Sequence, residues 1–159
     1  MLLFEWGEYA TESDTGERLD GSGFQLRTGD GRALAWDDEA LAAEGVAIFA
    51  VAGVSYRLDA AQSHAFAPGC LLSLVPDPEN EFDPNAIGVW DEERRDQVGF
   101  VPADRAVEVG TRLAQEQLAA VVLWEWRKEG KRCALRALLG PTALVQRVKR
   151  SAARLSAPP

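Results

Sequence analysis

Residues 77–87 read Asp77-Pro78-Glu79-Asn80-Glu81-Phe82-Asp83-Pro84-Asn85-Ala86-Ile87, and the fold is decided by what this stretch can be. Its prolines hold φ at about −65° and lack an N–H, so it cannot be a central strand. Asn80, Asp83 and Asn85 carry short polar side chains that close turns on neighbouring amides. On both sides lie runs of strand length and apolar content. They are Leu71–Val75 before it, Ala86–Trp90 directly after it, and Gln97–Val101 beyond the charged turn Asp91–Asp96. Upstream, Val46–Ala52 is a fourth such run, separated from Leu71 by a long loop expected from Leu58 to Gly69. The stretch is a stiffened loop carried on a β framework.

The framework extends in both directions. Toward the N-terminus, Asp37 or Asp38 caps a short helix that Gly45 stops. Phe24–Leu26 and Ala33–Trp36 flank Thr28-Gly29-Asp30-Gly31 as a β-hairpin. Gly16, Gly21 and Gly23 mark an acidic, turn-rich stretch after the apolar run Leu2–Trp6. Toward the C-terminus, Ala106, Val109, Gly110 and Leu113 fall on one helical stripe behind Pro102. A second hairpin follows, with Val122, Trp124 and Trp126 alternating on one strand and Cys133, Leu135, Ala137 and Leu139 on the other. Trp124 and Trp126 read as core or interface rather than as a base-stacking platform. Pro141 opens a last helix striped by Leu144, Val148, Ala152 and Leu155, and Ser156 to Pro159 form a small-residue end. Its basic residues read as a solvated or partner-facing surface. Many short strands with two to three helices predict a mainly β, α+β chain built as a small β-barrel or curled sheet with packed helices.

The order and spacing of Val51–Arg57, Pro68–Pro76, Asp77–Ile87 and Gln97–Pro102 resemble the HIRAN domain, in the form of a small stand-alone bacterial-type member. That module occurs fused to SWI/SNF-type remodelling helicases of DNA-damage tolerance and as small bacterial proteins. The resemblance covers about a third of the chain. It implies an OB-like barrel over residues 46–140, preceded by a hairpin-containing extension (1–45) and followed by a basic helix and tail (141–159). It also implies a module that binds single-stranded DNA by its 3′ hydroxyl end, or damaged or stalled-fork DNA. In that setting Asp83 is the acceptor for a terminal ribose hydroxyl. Phe82 and Tyr56 are flat faces for bases, Arg57 meets a phosphate or a base, and Asn80 is a further DNA-binding residue of the loop. The backbone at Phe100 and Val101 offers amide contacts. Departures from the family pattern are Phe82 in place of tyrosine, Ala103-Asp104 where a basic residue is usual, and the extra charges of Glu79 and Glu81.

Charge sharpens the question. The 159 residues carry 17 basic and 25 acidic side chains, a net of −8. Nine of the bases and one acid lie from Arg127 onward, so the first 126 residues hold a surplus of 16 acids. Acidic surface opposes polyanion binding, while the basic segment favours it or favours self-association. Two cysteines, Cys70 and Cys133, exclude a disulfide framework, and with one histidine a zinc site would need carboxylates. The absence of a signal-like start and of long apolar runs predicts a cytoplasmic protein without a membrane partner.

No P-loop, G-x-S-x-G or H-E-x-x-H string occurs, and the acids of 77–83 lack the spacing of a calcium loop. The expectation is a chain with no enzymatic activity and no cofactor. Its partner is a single-stranded DNA end, with a helicase or nuclease as the candidate protein partner. The alternative is a protein–protein interaction module with the same barrel and no DNA binding. The oligomeric state stays open at this level. The observation that separates the readings is whether Arg57 and Arg105 converge on Asp83.

Overall fold

Eleven-residue strands β1 (Leu2–Glu12) and β2 (Arg18–Thr28) pair along their full length. The computed structural model describes residues 1–156, so the small-residue end from Ala157 lies outside the described residues. The turn-rich reading of this region is corrected, because Gly21 and Gly23 lie inside β2. Their role is close approach. A Cβ on Gly21 would stand 2.5 Å from the Trp126 ring, and one on Gly23 would stand 2.3 Å from the carbonyl oxygen of Leu123. The hairpin expected at 24–36 is present as the short β3 (Ala33–Leu34) against β2. Asp38 caps α1 (Glu39–Ala43) by accepting from the Ala40 amide at 2.9 Å, and Gly45 follows with φ of 73°.

β4 (Ala47–Ala50) leads through a 3-10 turn at Val54–Tyr56 into α2 (Leu58–Ala61) and a second 3-10 turn at His64–Phe66. The open loop expected from Leu58 to Gly69 is therefore mostly helical turns. The reason is visible in Phe66, which is fully buried and fixes the segment on the core. Arg132 holds the segment from beneath. Its guanidinium donates to the carbonyls of Ala61 (2.7 Å) and Ser63 (2.8 Å) while pairing with buried Glu125 (2.9 Å).

β5 (Leu71–Pro76), β6 (Ile87–Asp91) and β7 (Gln97–Phe100) follow at the expected places, and α3 (Ala103–Gln115) buries Ala106 and Val109. β8 (Leu118–Lys128) and β9 (Lys131–Pro141) form the second hairpin, and α4 (Thr142–Ser156) closes the described chain. The stripe of α4 differs from expectation at its end. Leu144, Val145 and Val148 are buried, whereas Leu155 near the helix end is exposed.

All nine strands belong to one antiparallel sheet with the path β1-β2-β8-β5-β6-β7, and β9 joins β8 to β4. The sheet curls without closing as a continuous ladder. One isolated bridge, Ala52 with Phe100, spans the gap between the end of β4 and β7. The mainly β, OB-like class stands, with four helices among the described residues, of which α1 and α2 are one turn or little more. β8 and β9 are walls shared by two cores. Val122, Leu135, Ala137 and Leu139 face a core inside the curl, with Phe66, Val89 and Val109. Val121, Leu123 and Leu138 face a second core made with Leu2, Phe24, Leu41 and α4. Trp124 is fully buried and packs between Tyr9, Trp36 and Trp126, as core rather than platform. Among the described residues, no helix is long and apolar enough to cross a membrane.

Candidate functional site

The proline-stiffened loop is sealed at its base, where the Asp77 amide donates to the Ala86 carbonyl at 2.8 Å. Inside it, the Asn80 side-chain oxygen accepts from the amides of Phe82 (3.0 Å) and Asp83 (3.1 Å). The Asn80 amide nitrogen donates to Asp77 at 3.2 Å. Asp83 continues the chain of Asx turns, since its Oδ1 accepts from the Asn85 amide at 2.8 Å. These bonds fix the direction of the loop without using all of its polar atoms. Oδ2 of Asp83 has no hydrogen-bond partner among the described residues. With no inward pocket to fill, Phe82 stands 90% exposed.

The bridge between Ala52 and Phe100 brings a second wall opposite the loop. Between them opens a cavity of about 700 Å³. Six of the seven residues singled out from the sequence line it: Arg57, Asn80, Phe82, Asp83, Phe100 and Val101. Tyr56 stands beside it, 91% exposed, on the 3-10 turn that precedes Arg57. The Arg57 guanidinium lies 5.6 Å from the centroid of the half-buried Phe100 ring, a cation–π placement on the cavity lining.

One expectation is corrected here, and the observation that separates the two readings falls on the side of the protein-interaction alternative. The backbone at Phe100 and Val101 cannot offer amide contacts. The Phe100 amide donates to the Ala52 carbonyl (2.9 Å) and the Val101 amide to the Ile87 carbonyl (2.9 Å), so both serve the sheet. Arg57 and Arg105 do not converge. Arg105 faces a neighbouring cavity of about 510 Å³ with Trp36 and Arg136, and donates to the Ile48 carbonyl at 3.4 Å.

The charge of the main cavity is lopsided. Asp77, Glu79, Glu81 and Asp83 line it against the single cation Arg57. Such a lining accepts hydroxyl and amine donors and repels free phosphate. Among the described residues, no three His, Cys, Asp or Glu side chains group as a metal site. Cys70 and Cys133 are free thiols away from the cavity, and burial pushes both above the ordinary cysteine value. The sequence reading missed Ala52, Ala86 and Ala103, whose small side chains keep the cavity open. No sequence signal marks them, since single alanines beside strand ends occur throughout the chain.

A protein-family model described as HIRAN domain matches residues 44–137. Among solved structures, the crystal structure of the HIRAN domain of human HLTF is similar to this chain at 21% identity. That likeness covers 65% of this chain and 83% of that one, with a TM-score of 0.44. No curated protein sequence matches the chain.

Proposed function

Because the chain belongs to the HIRAN domain family, we propose that it is a non-catalytic DNA-binding module that takes a single-stranded 3′ end into the cavity beside Asp83. The observation that supports this most directly is the unpartnered carboxylate oxygen of Asp83, next to an exposed aromatic ring on a loop held in place by its own Asx turns. A terminal ribose hydroxyl donates to that oxygen. The terminal base rests against Phe82, with Tyr56 within reach of the next base, each stack worth ~1–3 kcal/mol. Arg57, held over Phe100, is the one cavity cation able to meet a phosphodiester oxygen. The volume suits a nucleoside, since small-ligand clefts run from about 300 to 1,000 Å³. In this reading residues 46–140 are the binding module. The extension (1–45) and α4 (Thr142–Ser156) complete the second core against β4, β8 and β9.

Fluorescence anisotropy with labelled oligonucleotides ending in a 3′ hydroxyl or a 3′ phosphate tests the reading. Tighter binding of the hydroxyl end supports it, because a terminal phosphate would meet Asp83 and its three acidic neighbours. Equal binding of the two ends counts against it. Phe82→Ala should weaken the hydroxyl-ended oligonucleotide while leaving the melting temperature unchanged.

A second reading follows from the excess of carboxylates in the cavity. In it the cavity receives a lysine- or arginine-bearing segment of a partner protein, a helicase or nuclease among the candidates. A basic octapeptide that binds in the micromolar range, with no binding by either oligonucleotide, would favour it.

A further inference from the structure

The proposed reading leaves one physical demand unmet: a cavity with four carboxylates and one guanidinium cannot hold the charge of a phosphate backbone. We infer that the groove between α4 and β1 is a separate binding surface for the sugar–phosphate backbone of nucleic acid, an inference that rests on that reading and deepens it. The groove encloses about 620 Å³, and four arginines line it against a single carboxylate, Glu5. That is the reverse of the balance at the main cavity.

The helix itself explains the arrangement. α4 contains no acidic residue, and Leu144, Val145 and Val148 are spent in the second core. Arg147, Arg150 and Arg154 fall at i, i+3 and i+7 and share a different face, turned over β1. Arg147 is anchored, donating to the Leu2 carbonyl with its guanidinium 5.5 Å from the Phe4 centroid. Arg27 pairs with Glu5 at 2.7 Å and so neutralises the one opposing charge. Arg150 and Arg154 are exposed and have no ion-pair or hydrogen-bond partner among the described residues. Two held guanidiniums and two open ones, all planar forks, suit successive phosphate oxygens.

Shape favours a strand over a lipid surface. Leu3 and Phe4 form part of the groove's lining, and Leu144, Val145 and Val148 of α4 are buried in the second core, which leaves Leu155 as the one large exposed apolar side chain of the described helix. Position favours a long ligand. β1 and β7 are opposite ends of the main strand path, so the groove and the cavity lie on different parts of the sheet. A globular chain of this length measures about 40 Å across by the usual size scaling. A 20-nucleotide strand with a stacked rise of 3.4 Å per nucleotide reaches about 68 Å and can span both.

The test compares a 20-mer with a trinucleotide, both with 3′ hydroxyl ends, on the wild type and on Arg150→Ala/Arg154→Ala. Two lost phosphate contacts on single-stranded DNA should flatten the log K against log salt slope by about 1.4. That corresponds to about 25-fold weaker binding at 0.1 M salt relative to 1 M. The trinucleotide, confined to the cavity, should bind the variant and the wild type alike. Arg150→Lys/Arg154→Lys should restore the slope, and melting temperatures should agree throughout. An unchanged slope for the 20-mer overturns the inference while leaving the end-recognition reading intact. A 20-mer that depends on the two arginines but does not distinguish 3′ hydroxyl from 3′ phosphate keeps the groove and removes the end-recognition reading. Loss of binding to phosphatidylserine vesicles, with oligonucleotide binding unaffected, assigns the groove to membranes and overturns the inference. If neither oligonucleotide binds the wild type at low salt, both fall.

Discussion

At the scale of one residue, the two oxygens of Asp83 divide its work. Oδ1 accepts from the Asn85 amide at 2.8 Å and shapes the turn, while Oδ2 has no hydrogen-bond partner among the described residues. The two roles separate by substitution. Asp83→Asn keeps an oxygen for the Asn85 amide but removes the charge. Its expected result is an unchanged melting temperature and a ratio of 3′ hydroxyl to 3′ phosphate affinity that falls toward one. Asp83→Ala removes both functions and should also cost about 1 kcal/mol, a fall of roughly 2–4 °C for a domain of this size. A shared melting loss for the two variants would show that the charge itself holds the loop. The positions of Asp83 and Phe82 were legible because proline and Asx chemistry act within a few residues. The committed amides of Phe100 and Val101 were not, since their acceptors, Ala52 and Ile87, lie far away in sequence and only the sheet brings them together.

At the scale of elements, the cavity depends on segments that the sequence disguised. Arg57 directly precedes α2, and α2 is held by Arg132, which is 2% exposed and bonded to Ala61, Ser63 and Glu125. Gln62 adds a reciprocal pair, donating to the Arg132 carbonyl at 2.8 Å and accepting from its amide at 3.0 Å. No local periodicity announces such a segment, because its partners sit some seventy residues downstream. Arg132→Met leaves Glu125 buried beside Arg127 alone and should cost about 3–5 kcal/mol, read by urea unfolding. In hydrogen exchange, residues 58–66 should lose protection before the β8–β9 hairpin does. Uniform loss across both would mean that Arg132 supports the whole sheet rather than this segment. Arg132→Lys should not rescue, since an ammonium cannot reach the same carbonyls in one plane with Glu125.

The strands pose the converse problem. Glycine usually signals a turn, yet Gly23 lies in β2 with φ of 152° and no room for a Cβ beside Leu123. Gly23→Ala should destabilise by about 1–3 kcal/mol, the usual range for overpacking. Gly16→Ala, at the hairpin tip where nothing lies within 4 Å, has only its backbone φ of 80° to oppose it. Comparable losses at the two sites would refute the close-approach role of Gly23. Sequence alone does not distinguish these glycines, because the deciding neighbour is the backbone of β8.

At the scale of the whole molecule, the segregation of charge along the chain becomes a segregation in space. The surplus of bases after Arg127 was legible by counting. The groove was not, because Arg27 from β2 and the carbonyl of Leu2 are needed to complete it. With an acidic cavity at one place and a basic groove at another, two copies are complementary head to tail. Such a contact uses different patches on each partner and so propagates from copy to copy, into a ring if the rotation closes and an open chain if it does not. Its reach depends on screening, with a Debye length of about 30 Å at 0.01 M salt and about 8 Å at 0.15 M. Sedimentation at 0.01 M salt should therefore show an average mass that rises with protein concentration. At 0.5 M it should settle at the 17.3 kDa of one chain. Adding a 20-mer at low salt should dissolve the assemblies, since the groove exchanges protein carboxylates for phosphates, and Arg150→Ala/Arg154→Ala should not form them. A mass independent of salt would mean that the two surfaces never meet. A salt-dependent mass that the 20-mer leaves unchanged would place the self-contact elsewhere than the α4–β1 groove.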